Sequence, residues 1–382
     1  MDNAGYSIGK LLKYFLKLGT TGFGGPVALV GYMHRDLVEK RKWISEEDFK
    51  EGLALAQLAP GPLAAQLAIY IGYVHSRARG AALAGITFVL PSFLMVLALG
   101  FAYTRAGGLS WVQSLFYGIG SSVIGIMAIG TYKLVRKTIK RDLILWICFA
   151  IVLLITAITE REILWIILSA GLFCWYVKSK KLTPSMEKLF MPGIFFLQAG
   201  FITKPMEKIL SLGWFFFKAG AFVFGSGLAI IPFLYGGLVK EHHWMNETQF
   251  LDAVAIAMIT PGPVVITVGF IGYLIAGFPG ACMAALATFL PCYVFTVLPA
   301  PYFRRYGRRP GLRAFVEGIT AGAYGALGGA VIVLAERQLK DGPSIIIGAV
   351  SIAFLFIFKK IPESVLILLS GVAGLIIKTF LT

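Results

Sequence analysis

Two proline-glycine-proline tripeptides are the residues of this chain best placed to bind an anion. Pro60-Gly61-Pro62 and Pro261-Gly262-Pro263 each interrupt an apolar stretch. Proline ends the helix before it and suits the first position of the next, so each tripeptide predicts two half-helices, with a simple kink in a spanning helix as the alternative. The second half-helix would point unpaired amides and its positive dipole end into the protein, which favours an anion. These amides belong to Leu63, Ala64 and Ala65, and to Val264, Val265 and Ile266.

Glycine-rich breaks form a second matched pair of motifs. Gly22-Phe23-Gly24-Gly25-Pro26 and Phe224-Gly225-Ser226-Gly227 interrupt the first apolar stretch of each half. Glycine allows either contact with a ligand or close helix packing, and both interpretations stay open. Lys17 and Lys218 precede these breaks. Because Lys218 lies in an apolar run, we expect a buried ammonium that pairs with a translocated anion, whereas Lys17 can extend to the surface.

A few acids could couple transport to protons. Glu51 and Asp252 lie at matched positions one turn into the helices that precede the tripeptides. Capping of the helix dipole explains them equally well, and Glu317 is a further candidate. The neutral side chains flanking the tripeptides offer hydrogen bonds to an oxyanion or serve helix packing; they are Gln57, Gln66, Thr260 and Thr267. The histidine and cysteine spacings predict neither a metal site nor a cofactor.

These motifs recur because the chain contains one unit twice. At a shift of 201 positions, 15 of the 46 residues from Lys17 to Pro62 are identical to their counterparts, including Trp43 with Trp244. After a slip of one residue the match continues to Gly118 and Gly318. We expect a first repeat over 8–178, a linker over 179–211 and a second repeat over 212–382.

Composition requires a membrane. Of 382 residues, 58% are hydrophobic and 14% charged, and the mean hydropathy is +0.80. Such a chain cannot cover a soluble globule with polar surface, and it predicts an all-α polytopic membrane protein. In the first half, apolar stretches of spanning length lie at about 11–33, 80–104, 111–132, 142–159 and 162–177. The net charge of +16 comes from short loops between membrane spans. A positive bias toward one leaflet is a simpler cause of this charge than binding to nucleic acid.

Loop charge predicts the topology. If both tripeptide segments are re-entrant and the N-terminus is outside, most of the 35 lysines and arginines fall on the cytoplasmic face. Each repeat then has about five transmembrane helices and one re-entrant hairpin, and this odd number inverts the second repeat. The linker is expected on the cytoplasmic face. Lys10, Lys13 and Lys17 are exceptions to the charge rule.

The combined motifs resemble those of the chromate ion transporter family in its long two-domain form. The resemblance rests on both glycine breaks, both tripeptides, and Trp43 with Glu46 and Phe49, repeated as Trp244 with Glu247 and Phe250. It implies secondary transport of chromate across the cell membrane, often as efflux that confers resistance, with sulfate as an isosteric relative. Gly227 stands where a second Pro26 would be, so the halves need not contribute equally.

The sequence therefore predicts a non-enzymatic, multi-pass transporter of a tetrahedral divalent oxyanion, most simply chromate. Its site is built from the half-helix N-termini, the glycine breaks and the two lysines, between inverted repeats. A sulfate-type permease is the alternative within transport, and an intramembrane enzyme acting on a lipid phosphate is the remote one. The sequence shows neither the nucleophile nor the metal-binding acidic cluster that such an enzyme would need. A homodimer is left open.

Overall fold

The computed structural model describes residues 6–23, 25–106, 110–160, 164–179, 204–222, 227–306, 310–358 and 363–381. All regular structure within these residues is helical, as predicted. The first half contains α1 (Ile8–Thr21), α2 (Gly25–Met33), α3 (Glu46–Leu58), α4 (Leu63–Ala106), α5 (Ser110–Thr138), α6 (Leu143–Thr159) and α7 (Leu164–Ser179). The second contains α8 (Lys204–Phe222), α9 (Ile230–Tyr235), α10 (Glu247–Ile259), α11 (Thr267–Val297), α12 (Ala300–Tyr306), α13 (Pro310–Gln338), α14 (Gly342–Ile357) and α15 (Glu363–Leu381).

Five helical stretches in these ranges are long and apolar enough to cross a membrane. They are Leu63–Arg105, Trp111–Arg136, Val264–Phe303, Arg313–Gln338 and Glu363–Phe380. Three shorter apolar helices, Leu143–Thr159, Trp165–Lys178 and Gly342–Ile357, accompany them. The chain is a multi-pass membrane protein by this composition.

The first apolar stretch is a helical hairpin, and the prediction of a single span over 11–33 is wrong. Helix α1 ends before Gly22, and α2 continues as a wider π-helical segment, His34–Lys40. The Tyr6 ring stacks on Trp43 at 4.7 Å, and the Arg41 guanidinium lies 5.3 Å from the Tyr14 ring centroid. Both ends of the stretch therefore lie together, so the chain turns back at the glycine break.

The first tripeptide is also a point of reversal. A Cβ added at Gly52 in α3 would lie 2.2 Å from Cδ1 of Tyr70 in α4. If the two half-helices ran in line, these residues would be about 27 Å apart. In the second half, the Tyr103 hydroxyl bonds Asp252 before the tripeptide, and its ring lies 5.5 Å from Phe270 after it. The half-helices thus pack side by side.

A further reversal divides each of α4 and α11. Arg77 has φ 51° and ψ −144°, and Gly277 has φ 61° and ψ −154°. A Cβ at Gly72 would lie 2.3 Å from the Gly80 carbonyl oxygen, so the two parts of α4 run antiparallel in close contact. Helices α4 and α11 therefore each consist of a half-helix, 63–75 or 267–275, followed by a separate apolar helix.

Both α3 and α10 begin at a side-chain N-cap. The Ser45 hydroxyl accepts from the Asp48 amide, and Asn246 forms a reciprocal capping box with Gln249. Each side chain satisfies an amide that the first turn leaves unpaired. These caps fix the starts of α3 and α10, the helices that lead to the tripeptides.

The two halves exchange helices. In the first half α5 packs against α14 and α15, and in the second half α13 packs against α6 and α7. A Cβ at Gly118 would lie 1.9 Å from the Ser370 carbonyl oxygen, and one at the matched Gly318 would lie 2.6 Å from that of Ala170. Only glycine allows such close approach of the backbones.

Matched helices of the two halves run antiparallel. The Tyr117 hydroxyl near the start of α5 bonds Asp341 just beyond the end of α13, while Ile139 after α5 clusters with Ala321 of α13. Likewise, Tyr293 late in α11 donates to the carbonyl of Ala78, where the second part of α4 begins. This relation limits how the halves can be placed in a membrane.

The predicted linker over 179–211 is described only in part. Helix α8 already begins at Lys204, and the Met191–Phe201 stretch expected at the interface lies outside the described residues. Lys178 at the end of α7 bonds Glu317 near the start of α13. Lys208 in α8 bonds the Ile275 carbonyl at the base of the α10–α11 hairpin. Glu247, at the same base, pairs with Arg337 at the end of α13. The residues joined by the linker thus lie at opposite ends of α13.

Candidate functional site

The turn of the second tripeptide is held by the opposite half of the chain. The Gly262 amide donates to the Gly22 carbonyl at 2.9 Å, and the Ser92 hydroxyl donates to the Pro261 carbonyl at 2.7 Å. Gly262 has φ +96°, and a Cβ there would lie 2.0 Å from Ser92 Oγ. Glycine is therefore required both by the backbone conformation and by the space. The glycine break of one repeat meets the tripeptide of the other.

The turn of the first tripeptide has a different environment. Gly61 has φ +140°, and a Cβ there would lie 2.8 Å from Gln66 Cδ and 3.1 Å from Cys292 Sγ. Gln66, on the first turn of α4, folds back so that its Nε2 donates to the Pro60 carbonyl at 2.8 Å. Cys292 is the counterpart of Ser92, so the opposite repeat approaches this turn as well.

The two half-helix starts are not equivalent. Helix α4 begins at Leu63 directly after Pro62, as predicted, with Ala64 buried. In the second half a 3₁₀ turn, Val264–Ile266, precedes α11, and the Ile266 amide donates to the Pro263 carbonyl. Free amides were expected at the start of both half-helices. A regular α-helical start directly after the tripeptide is found in the first repeat.

The flanking hydroxyls are occupied by the backbone. Thr260 Oγ1 donates to the Ala257 carbonyl at 3.0 Å, and Thr267 Oγ1 donates to the Val264 carbonyl at 2.7 Å. Both residues are buried beside the second turn. Their hydroxyl protons therefore stabilise local turns in this conformation.

Lys218 is less buried than expected, whereas Lys17 lies at the surface, as the sequence allowed. Lys218 is half-exposed, with Nζ 6.0 Å from the centroid of the Trp214 ring, and Lys17 is exposed. The prediction of a buried Lys218 ammonium is wrong, because the side chain leaves the apolar face and lies against an aromatic ring. Each lysine nevertheless lies about one helical turn before its glycine break.

The glycine breaks are described in part. Gly24, Gly225 and Ser226 lie outside the described residues. Gly25 begins α2, and Gly227 begins a 3₁₀ turn in which a Cβ would lie 3.1 Å from Val265 Cγ2. The second break therefore also adjoins the second tripeptide.

The three candidate acids have distinct surroundings. Asp252 is 5% exposed and accepts from the Tyr103 hydroxyl at 2.6 Å. Glu317 pairs with Lys178 and Arg313, each at 3.0 Å, and Glu51 is half-exposed. The structure thus distinguishes one deeply buried carboxyl from two near the protein surface.

Sequence reasoning missed Ser92, Tyr103 and an ionic cluster. Ser92 follows Pro91 as Cys292 follows Pro291, and that matched position was the available signal. The ionic cluster joins residues distant in the chain, so no local pattern marks it. It consists of Glu160, Lys240, Glu247 and Arg337.

This cluster ties the base of the second hairpin to the exchanged helices. Lys240 Nζ lies 2.7 Å from Glu160 Oε2 and 3.8 Å from Glu247 Oε1, while Arg337 pairs with both acids. The Lys240 ammonium, together with Arg337, lowers the pKa of Glu160 below its ordinary value. The Tyr235 hydroxyl adds a hydrogen bond to Glu247 at 3.0 Å.

No group of three histidine, cysteine or acidic side chains suited to a metal ion occurs among the described residues. Cys148 and Cys174 are free thiols whose Sγ atoms lie 3.7 Å apart in a buried cluster, although the sequence shows no paired spacing. Neither observation adds a catalytic group to the tripeptide region.

Comparison with known proteins identifies the family. The family model described as Chromate transporter matches residues 9–175 and again residues 210–375. This chain belongs to the chromate transporter family. The first match contains one glycine break and one tripeptide, and so does the second.

Three bacterial proteins resemble the chain over nearly its full length. The "Chromate transport protein" of Cupriavidus metallidurans is 59% identical over 97% of this chain and 93% of its own. The "Probable chromate transport protein" of Synechococcus elongatus is 52% identical, covering 97% and 96%, and the "Chromate transport protein" of Pseudomonas aeruginosa is 31% identical, covering 96% and 91%. No solved structure matches the chain.

Proposed function

We propose that this protein is a secondary transporter of a tetrahedral oxyanion, with chromate as its substrate, in the cell membrane. Family membership and the names of its relatives support the substrate. The structural observation that carries the proposal is the hydrogen bond between Gly22 and Gly262, because it joins the interrupted segments of the two repeats. Interrupted helices that meet between repeats are the usual construction of a transporter site.

The oxyanion site is proposed at the two tripeptide turns and the adjoining glycine breaks. The helix start at Leu63 and Ala64 supplies backbone donors, and Lys17 and Lys218 supply positive charge one turn from the breaks. In the first repeat the site comprises Gly24, Gly25, Pro60, Gly61, Pro62, Leu63 and Ala64. In the second it comprises Gly225, Ser226, Gly227, Thr260, Pro261, Gly262, Pro263, Val264 and Val265.

We infer an inverted arrangement of the repeats, with both hairpins of each repeat re-entrant. The antiparallel packing of α5 and α13 supports it. Because α1 and α2 form a hairpin, the N-terminus lies on the face that carries Trp43. Lys10 and Lys13 then join the basic cytoplasmic face, which removes the exception in the charge count.

This topology changes the expected linker. Four full crossings in the first repeat, in place of five, return the chain to the cytoplasmic face at Ser179. An inverted second repeat must then start at the opposite face, which agrees with Lys178 and Lys208 lying at opposite ends of α13. Cysteines placed at Lys178 and Lys208 should react with an impermeant thiol reagent from opposite faces, and those at Arg136 and Arg308 from the same face. Same-face reaction of the first pair would refute the topology.

Access to the site is proposed from the cytoplasmic face. Gln57 near the first turn is exposed, whereas its counterpart Met258 is buried. Helix α10 packs against α5 and α15, while the ionic cluster of Glu160, Lys240, Glu247 and Arg337 closes its base. We therefore place the access route beside the first hairpin and not beside the second.

Asp252 is the proposed proton-coupling group. It is the buried carboxyl of the three candidates, and Tyr103 from the opposite repeat bonds it. Movement of the hairpin against α4 would break this bond and change how readily the carboxyl holds a proton. Glu51 and Glu317 remain weaker candidates because of their exposure and, for Glu317, its ion pairs.

Uptake by purified protein in proteoliposomes tests the function. We expect radiolabelled chromate to accumulate when a pH gradient is imposed, and to do so faster than sulfate. Uptake of sulfate without uptake of chromate would favour the sulfate-type permease. Transport of neither anion would refute the substrate assignment, and hydrolysis of a lipid phosphate would favour the enzyme.

A further inference from the structure

Gln66 carries a buried oxygen that the fold leaves unused. The side chain is 0% exposed, and its Oε1 has no hydrogen-bond partner among the described residues. An unpaired polar atom in such surroundings is destabilising, so native proteins rarely keep one without a purpose. The amide that carries this oxygen lies against Gly61, at the helix start assigned above to the oxyanion.

The orientation of the Gln66 amide is fixed by its neighbour. The Pro60 carbonyl can only accept a hydrogen bond, so the amide nitrogen must face it, at 2.8 Å. Exchange of nitrogen and oxygen would place two acceptors against each other. Oε1 is therefore an acceptor in this conformation, and its partner must be a donor.

A fully deprotonated oxyanion cannot provide that donor. Chromate and sulfate dianions present only acceptor oxygens, which suit the amides at Leu63 and Ala64 but are repelled by a carbonyl oxygen. A singly protonated oxyanion has one hydroxyl group besides its acceptor oxygens. It could satisfy both the helix start and Gln66 Oε1.

We propose that Gln66 selects the singly protonated oxyanion by accepting a hydrogen bond from its hydroxyl. This inference rests on the proposed function of the site. Hydrogen chromate loses its proton near neutral pH, whereas hydrogen sulfate keeps its proton only in strong acid. At physiological pH the proton, more than size or shape, thus separates chromate from sulfate. Gln66 becomes the specificity-determining residue.

The matched position in the second repeat lacks this device. One residue fewer separates the second tripeptide from Ile271, and the polar residue there is Thr267, whose hydroxyl is donated to Val264. The second turn is also fixed by Ser92 and Gly22. Selection of the protonated anion is therefore assigned to the first repeat alone.

The test compares chromate and sulfate uptake into proteoliposomes with equal pH on both sides. Gln66→Met keeps the size of the side chain but removes its amide. We expect the preference for chromate over sulfate to fall about tenfold, the lower end of the range for a hydrogen bond to a charged group. Gln113→Met is the matched control, since Gln113 is exposed on α5 and is not among the proposed site residues, and it should keep the wild-type preference. Unchanged preference in Gln66→Met would overturn the proposal.

A measurement on the wild-type protein does not depend on a variant that folds. Chromate uptake should fall as pH rises through the range in which hydrogen chromate ionises, while sulfate uptake should not follow that profile. Cys292 on α11 faces Gly61, and Lys17, Glu51 and Asp252 lie on α1, α3 and α10 packed around α4. Titration of these groups would change both anions alike, so identical pH profiles would overturn the proposal. Uptake of neither anion would refute the transport function itself.

Discussion

Replacement of Gly262 by alanine should separate the two repeats at their contact. The alanine would adopt φ +96°, which costs about 1 to 3 kcal/mol in backbone strain. Its Cβ would lie 2.0 Å from Ser92 Oγ, so Ser92 must move and leave the Pro261 carbonyl unpaired. An unpaired buried carbonyl costs about 1 to 3 kcal/mol more. Gly262→Ala should therefore lower the free energy of unfolding by about 2 to 6 kcal/mol in total.

Two matched variants separate these contributions. Gly277 has φ +61° with no atom near its added Cβ, so Gly277→Ala contains only the backbone strain, about 1 to 3 kcal/mol. Ser92→Ala already removes the hydrogen bond to Pro261, so its effect should not add fully to that of Gly262→Ala. Unfolding in a denaturing detergent, followed by tryptophan fluorescence, gives the free energies of the wild type, the three single variants and the Ser92→Ala/Gly262→Ala double variant. A Gly262→Ala protein as stable as Gly277→Ala would refute the reasoning.

Three further predictions address charge. Lys218→Ala should abolish chromate uptake without affecting membrane insertion, because it removes a positive charge one turn from the second glycine break; wild-type flux would eliminate this role. Asp252→Asn should abolish uptake driven by a pH gradient but leave exchange of labelled for unlabelled chromate at equal pH, and retained gradient-driven uptake would exclude Asp252 as the coupling group. Glu160 has a lowered pKa in the folded protein, so its pairing stabilises above the ordinary glutamate pKa and is lost as pH falls through the lowered value. The melting temperature of the wild type should exceed that of Glu160→Gln at neutral pH and converge with it in acid, whereas a constant difference would contradict this origin.

The positions of the chain breaks could be predicted from the sequence, but their geometry could not. Glycine and proline mark where a helix must end, and α1 and α3 end there. A break is compatible with either a kink or a full reversal, and the choice depends on contacts such as Tyr6 with Trp43. These residues belong to different elements, so hydropathy counted the α1–α2 hairpin as one span. The predicted inversion of the second repeat depended on that count, because it required an odd number of crossings in each repeat.

Burial of individual polar residues was similarly beyond the sequence. Lys218 has apolar neighbours on both sides, but these neighbours surround a helix and do not specify which face it occupies. Asp252 was placed beside Glu51 as an equivalent acid, although only Asp252 is buried against α4. Helix α10 also packs against α5 and α15, whereas α3 packs against α4 and α12, and no periodic pattern encodes which helix packs on which.

The same tripeptide occurs twice, yet the two turns have different physical roles. In the second turn, the Gly262 amide and the Pro261 carbonyl are both bonded to the opposite repeat, so its polar groups hold the halves together. In the first turn, one additional residue before Ile71 permits a regular helix start and places Gln66 over Gly61. A duplicated unit can therefore assign attachment to one copy and recognition to the other. Variants at Gly262 should change stability more than anion preference, and variants at Gln66 should do the reverse. If both positions changed the same quantity, the turns would have to be treated as one symmetric site.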